Sequence, residues 1–275
     1  MRDLFIDKRP LVMGILNVTP DSFYDGGNNY DTDKALINAK VMLAEGADII
    51  DIGGESTRPG YTPVSIDEEC SRVIPVIQKL KNITDKTISI DTTKYEVAKE
   101  AVAIGAEMIN DISCLGDERL AEIALENDIY YVLMHNREMT ADIDNPYKYT
   151  NFETDYMEDM NKGINKLKKI GMNENRIILD PGVGFAKTTA YNLYVIKKIK
   201  ELKQLGFPVL LAASRKSVIG DVLGLDKSDR LEGTLAIAAY GMMNGADIVR
   251  VHDVKEHVRI LKMLEAICTC ASFNK

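Results

Sequence analysis

One short pattern recurs three times in the chain and limits its fold more than any other feature. Gly46-Ala47-Asp48-Ile49-Ile50-Asp51-Ile52-Gly53, Gly105-Ala106-Glu107-Met108-Ile109-Asn110-Asp111-Ile112 and Gly245-Ala246-Asp247-Ile248-Val249-Arg250-Val251-His252 share a Gly-Ala-acid start and a β-rich run with polar residues near its end. Each follows a helix-like stretch. The glycine suits a helix C-cap, and the short connection behind it delivers the chain into a strand. The pattern is therefore a helix-to-strand unit used repeatedly.

With the remaining apolar runs the pattern predicts eight strands: Leu11 to Asn17, Asp48 to Gly53, Thr87 to Asp91, Glu107 to Ile112, Tyr130 to Met134, Arg176 to Asp180, Val209 to Ser214 and Asp247 to His252. Helical periodicity fills the intervals, with capping boxes at Ser65-x-x-Glu68, Thr93-x-x-Glu96 and Asp253-x-x-Glu256. Leu36, Ala39 and Leu43 line one face of the first helix, as an outer helix packed on a sheet requires. Eight strands, each followed by a helix, in roughly 250 residues is the arithmetic of a single (β/α)8 TIM barrel of the α/β class. An open, doubly wound sheet is the alternative. No linker interrupts the rhythm, so one domain is expected over residues 1–275, with residues 1–10 as a short N-terminal extension. The long acidic connection from Asn136 to Asp155 reads as a surface excursion.

Composition removes several classes of function. Hydrophobic residues make up 45% and charged residues 28%, which supports a large core and excludes intrinsic disorder. Against 34 Lys and Arg stand 42 Asp and Glu, a net charge of −8 with no long basic run, so a nucleic-acid partner is not expected. The longest apolar stretch, Leu235 to Met243, falls far short of the roughly 20 residues that span a bilayer. Asp3 and Asp7 interrupt the place where a signal peptide carries its apolar block. A cytoplasmic protein without a membrane partner is the expectation. Cys70, Cys114, Cys268 and Cys270 include no C-x-x-C pair, and three histidines are few for a histidine-ligated metal.

In a parallel barrel the chemistry gathers where the strands end, because all the strand-to-helix loops converge there. Those ends carry Asn17, Gly53 to Gly60, Asp91, Asn110-Asp111, Met134-His135, Asp180-Pro181-Gly182, Ser214-Arg215-Lys216-Ser217 and Arg250-Val251-His252. Contact with water explains any one of these polar residues, but not carboxylates on two strands together with Lys and Arg on two more. Strand alternation puts Arg250 with His252, Asn110 with Ile112, and Asp91 with Ser89. Lys216, Ser217, Arg250 and His252 follow the last two strands, where this fold usually holds phosphate. His252 as a neutral capping group is the alternative. Opposite this corner, Asp91, Asn110 and Asp180 need donors, and a pterin edge presents two parallel N–H groups. Pairing of the two acids with Lys216 or Arg215 would also satisfy them. The Gly- and Pro-rich loops within residues 17–30 and 53–65 have the composition of mobile substrate covers. Gly182-Val183-Gly184-Phe185-Ala186-Lys187 lacks the third glycine of a dinucleotide fingerprint, and no Walker A sequence is present.

Over nearly its whole length the chain resembles the dihydropteroate synthase family. The resemblance rests on Met13 to Phe23, Asp51 to Gly60, Ile90-Asp91-Thr92, Ile109 to Ile112, Asp180 to Phe185, Ser214 to Ser217 and Arg250 to Asp253. It implies condensation of 6-hydroxymethyl-7,8-dihydropterin diphosphate with para-aminobenzoate, giving 7,8-dihydropteroate and diphosphate by an SN1-like route. On the matching positions it implies that Asp91, Asn110, Asp180 and Lys216 hold the pterin between Ile112 and Met134. Asn17 would ligate Mg²⁺, while Thr57, Arg250 and His252 contact the diphosphate. Asp21, Phe23, Asp25, Arg58, Pro59, Phe185 and Ser217 would shape the para-aminobenzoate pocket. Asp91, Lys216, Arg250 and His252 would carry the chemistry, in a homodimer. The resemblance also implies a sulfonamide target, although departures at residues 134–138, 61–63 and 211–213 leave sensitivity open. Two rivals are a pterin-binding methyltransferase acting with methyltetrahydrofolate and a corrinoid protein, and a non-catalytic paralogue. The first has no use for a diphosphate site, and the second should have lost loop or diphosphate residues that are present here.

Overall fold

The repeated glycines set up the architecture as their spacing implies. A computed structural model of the chain describes residues 4–5, 9–19, 28–55, 63–137 and 149–270. Gly46, Gly105 and Gly245 have φ of 104°, 111° and 98°, which side chains rarely tolerate. At the first, the N–H of Gly46 donates to Leu43 at 3.1 Å and that of Ala47 to Met42 at 2.9 Å, closing the end of the helix. The acid that follows then enters the sheet: Asp48, Glu107 and Asp247 each donate their N–H to a neighbouring strand's carbonyl at 2.8 Å. Their carboxylates meet Arg9 at 2.6 Å, Lys81 at 2.8 Å and Lys203 at 2.7 Å. Each residue of the Gly-Ala-acid pattern thus has its own task in turning helix into strand.

Eight parallel strands result: β1 (Leu11–Asn17), β2 (Ile49–Gly53), β3 (Thr87–Asp91), β4 (Met108–Asp111), β5 (Tyr130–Met134), β6 (Ile177–Asp180), β7 (Leu210–Leu211) and β8 (Ile248–Val251). They pair in the order β6-β5-β4-β3-β2-β1-β8-β7, and a bridge between Leu179 and Val209 joins β6 to β7. The barrel closes on itself, which excludes the open sheet. Around it lie α1 (Asn28–Glu45), α2 (Ile66–Lys81), α3 (Tyr95–Ala103), α4 (Arg119–Glu126), α5 (Phe152–Ile170), α6 (Thr189–Lys197), α7 (Ile199–Lys203), α8 (Ser217–Leu223), α9 (Leu231–Met243) and α10 (Val254–Thr269). The connections after β6 and β7 each carry two helices where the periodicity predicts one.

Alternation divides the core in two. Leu11, Met13, Ile49, Met108, Tyr130, Val132, Ile178, Leu210, Ala212 and Ile248 form one apolar cluster, inside the barrel. Residues of the opposite parity, among them Val12, Ile50, Ile88, Ile109, Leu133 and Val249, pack outward against helix faces that include Ala35, Ala39 and the half-buried Leu36 and Leu43. Leu4 and Phe5 of the N-terminal extension pack beneath the inner cluster, with the Leu4 N–H on the Tyr130 hydroxyl at 3.1 Å. The barrel is therefore plugged at one end and open to chemistry at the other.

Several predicted details differ. β7 is short because a turn begins after it, with the Lys216 N–H on the Ala213 carbonyl at 3.3 Å, while the Ser214 hydroxyl takes the His252 N–H at 3.2 Å. Only the first capping box forms, Ser65 accepting from the Glu68 N–H at 3.2 Å. Thr92 instead of Thr93 engages the chain before α3, accepting the Lys94 N–H at 3.1 Å, so that helix starts later. The Asp253 carboxylate binds Arg215 at 2.7 and 2.9 Å in place of its own helix. The excursion from Asn136 also ends early, because Asn151 caps α5, its side chain accepting from the N–H groups of Glu153 and Thr154 at 3.1 and 3.3 Å. Among the described residues no helix is long and apolar enough to cross a membrane.

Gly46 tests the architecture directly. A Cβ there would meet Val258 at 3.4 Å, an ordinary contact, so Gly46→Ala acts through the backbone alone. It is expected to destabilise the fold by about 1–2 kcal/mol in a urea titration.

Candidate active site

Polar side chains enter the barrel interior at the ends of the strands, two residues beyond the inner apolar cluster. Asp51 follows Ile49, Asn110 follows Met108, Asp180 follows Ile178 and Arg250 follows Ile248, all with the same parity. Asp51 is fully buried, and Asn110 and Asp180 are nearly so. Their environment is costly for unpaired polar groups, and the structure pairs each of them through at least one atom, while Asp51 Oδ1 has no hydrogen-bond partner among the described residues.

Arg250 is the centre of that pairing. Its Nε donates to Asp51 Oδ2 at 2.5 Å, and its Nη2 donates to Asp91 Oδ2. Asn110 adds its Nδ2 to the same Asp51 oxygen at 3.0 Å. Strands β2, β3 and β8 are thus tied across the barrel through one guanidinium, and β4 joins them through Asp51. Burial pushes the Asp91 carboxyl up to about 7; Arg250 and Lys216 oppose this, while the charges of Asp51 and Glu69 add to it. Burial also raises Asp180, against the pull of Lys216 and a hydrogen bond from the Gly182 N–H at 2.7 Å.

The strand-end reading sets Arg250 in a positive corner opposite the acids; the structure places it against Asp91. Arg215 bonds to Asp253, and Lys216 donates Nζ to the Val183 carbonyl, so neither supplies the hydrogen-bonding partner of Asp91. Lys216 also lies 4.6 Å from the centre of the half-buried Phe185 ring. Met134 is buried at the end of β5, while Ile112 is half-buried just beyond β4. Ser217 opens α8 on its exposed side, and Asn17 ends β1 half-buried beside Gly53.

β7 and β8 meet through a second contact, between the Ser214 hydroxyl and Nδ1 of His252 at 2.9 Å. Burial, and then the charge of Arg250, lower the His252 pKa to about 4, so the imidazole is neutral at pH 7. Ser214 accepts the His252 backbone N–H, and the tautomer in which its hydroxyl donates to an accepting Nδ1 carries the ring proton on Nε2, which is then a donor.

Asp21, Phe23, Asp25, Thr57, Arg58 and Pro59 lie outside the described residues. Asp51 is the residue that the sequence reading passes over as part of the site. Its signal was present in the alternation, since Asp51 shares parity with Ile49 and stands beside Ser89 in register.

The chain and its barrel have counterparts among known proteins. The chain is 50% identical over 261 residues to a dihydropteroate synthase of Bacillus subtilis, covering 94% of this chain and 89% of that one. The solved structure of Xanthomonas albilineans dihydropteroate synthase with 4-aminobenzoic acid superposes with a TM-score of 0.89 at 39% identity, over 96% of this chain and 94% of that one. The same enzyme in complex with 7,8-dihydropteroate gives a TM-score of 0.86 at 36% identity, covering 96% and 95%. The family described as pterin binding enzyme matches residues 13–252, a span that starts inside β1 and ends on His252, and the chain belongs to that family.

Proposed function

We propose that the chain condenses 6-hydroxymethyl-7,8-dihydropterin diphosphate with para-aminobenzoate, forming 7,8-dihydropteroate and diphosphate, the dihydropteroate synthase reaction of folate biosynthesis. The observation that carries this is the set of half-buried Asp91 with buried Asn110 and Asp180 at the barrel mouth, in a chain half identical to a dihydropteroate synthase. The C–O bond to diphosphate breaks, the arylamine nitrogen bonds the pterin methylene carbon, and the amine loses a proton.

Asp91 and Asp180 accept from the pterin N–H groups, with Asn110 and Lys216 at its edge and Ile112 and Met134 against its faces. As the diphosphate leaves, positive charge develops on the pterin, and these carboxylates favour it. His252, neutral, offers its Nε2–H to the diphosphate. Arg250 keeps Nη1, which bonds nothing among the described residues, for the same group. Phe185 and Ser217 border the para-aminobenzoate, whose neutral amine attacks without a strong base. Thr57 is assigned to the diphosphate, and Asp21, Phe23, Asp25, Arg58 and Pro59 to the arylamine pocket, by resemblance alone.

Magnesium fits the residue assigned to it. The Asn17 side chain forms no hydrogen bond among the described residues, which leaves its amide oxygen as a hard donor beside the diphosphate site. Mg²⁺ commonly takes one or two protein oxygens and completes its shell with water and substrate phosphate. When bound it would neutralise charge on the leaving diphosphate.

A homodimer is proposed with this activity, because α9 is apolar nearly all round and leaves Tyr240 41% and Met243 71% exposed. A cytoplasmic setting accords with four free cysteines. One domain over residues 1–275 accords with a single barrel drawn from Leu11 to Val251.

Purified protein mixed with the dihydropterin diphosphate, para-aminobenzoate and Mg²⁺ is expected to release 7,8-dihydropteroate, read by chromatography. Absence of product, with both substrates shown to bind, contradicts the proposal. Asp91→Ala is expected to abolish measurable pterin binding in a calorimetric titration. Arg250→Met leaves two buried acids without their cation and should cost about 3 kcal/mol or more in a urea titration. Adding Asp51→Asn should recover part of that loss, and no recovery would deny the pairing.

A further inference from the structure

The motif that fails as a dinucleotide fingerprint, Gly182 to Lys187, forms the connection between β6 and α6, and its lysine is turned inward. Lys187 is only 7% exposed. Its Nζ donates to the carbonyls of His135 at 3.2 Å, Gly182 at 2.9 Å and Phe185 at 3.0 Å, three acceptors for the three protons of an ammonium. One acceptor directly follows β5 and the other two belong to the connection itself. The lysine therefore binds that connection to the neighbouring strand.

The connection needs such a hold. Gly182, Gly184 and Ala186 have φ of 69°, 84° and 44°, so alternate residues are left-handed. It also presses on its surroundings: a Cβ on Gly182 would stand 1.9 Å from the His135 carbonyl oxygen, and one on Gly184 would stand 3.0 Å from Lys216 Cδ. Asn192 of α6 braces it further, accepting the Gly184 N–H at 2.7 Å and donating to the Lys187 carbonyl at 3.2 Å.

What the connection presents are site residues. Its Val183 carbonyl accepts from Lys216 Nζ, its Phe185 ring lies 4.6 Å from that same nitrogen, and its Gly182 N–H donates to Asp180 at 2.7 Å. Lys187 reaches none of these groups directly and touches the backbone that carries them. We infer that Lys187 is a positioning residue: by gathering three carbonyls it fixes the β6–α6 connection, and so sets where Lys216 and Phe185 stand. The inference rests on the proposed synthase reaction for its kinetic consequence.

Lys187→Met keeps the length and apolar stem of the side chain and removes all three donors, whereas Lys187→Arg restores donors and charge. In steady-state assays Lys187→Met is expected to raise KM for para-aminobenzoate about tenfold or more, with Lys187→Arg returning it to within about threefold of the starting protein. A purely structural role would lower kcat in proportion to the folded fraction, measured by circular dichroism, and leave KM unchanged; that result overturns the inference. If Lys187→Met does not fold, Lys187→Gln, which keeps two donors, carries the test: a raised KM supports the inference and an unchanged KM overturns it. The unsubstituted protein is assayed alongside. Its failure to form product would fault the proposed reaction, whereas an active parent with unaffected variants would fault the role of Lys187.

Discussion

The organisation of the barrel mouth depends on one half-buried guanidinium. Arg250 enters from β8 and reaches Asp51 on β2 and Asp91 on β3, with Asn110 of β4 completing the set. Two carboxylates that close, with burial this complete, would repel each other and lose solvation together; a cation between them makes the arrangement tenable. The guanidinium suits the position because it is planar, permanently charged and presents several donors in fixed directions. Burial works against that contact and, with the charges of Asp51 and Glu69, raises the Asp91 carboxyl above its ordinary range.

That shift has a definite sign. A carboxyl whose pKa in the fold lies above its ordinary value contributes stability below the ordinary carboxylate range, and that contribution is lost as pH rises through the raised value, about 7 for Asp91. A ligand offering N–H donors favours the charged form and should bind more tightly as pH rises through the same window. His252 behaves oppositely. Lowered to about 4, it contributes stability above the ordinary histidine range that is lost as pH falls through the lowered value. At neutral pH, the site therefore holds a neutral donor for an anion beside acids that an N–H-rich ligand would draw toward their charged form.

Much of this was written locally in the chain. The Gly-Ala-acid pattern carries the helix ending, the strand entry and an ion pair in consecutive residues, so barrel arithmetic was legible from it. Asp91, Asn110 and Asp180 were legible as strand-end residues for the same reason. The partner of Asp91 was not, because Arg250 lies 159 residues away and comes near only when β8 pairs with β1 and the sheet curls shut. Asp51 was missed because a lone acid inside an Ile-rich strand looks like part of a motif until alternation is followed inward. The two failed capping boxes differ in cause: Asp253 found a tertiary partner in Arg215, whereas before α3 the neighbouring Thr92 took the local hydrogen bond with the Lys94 N–H.

The account turns on the protonation of Asp91, and nuclear magnetic resonance reads it directly. With aspartate carboxyl carbons labelled and the Asp91 signal assigned by its loss in Asp91→Asn, the protein would be titrated across roughly pH 4 to 9 with and without 6-hydroxymethyl-7,8-dihydropterin. The free protein should show a midpoint near 7, moving downward when Asp51→Asn removes the neighbouring charge, and the bound protein should keep Asp91 charged across that window. A midpoint that stays put both in Asp51→Asn and on addition of the pterin would contradict the account, because it would place neither the Asp51 charge nor the ligand against Asp91.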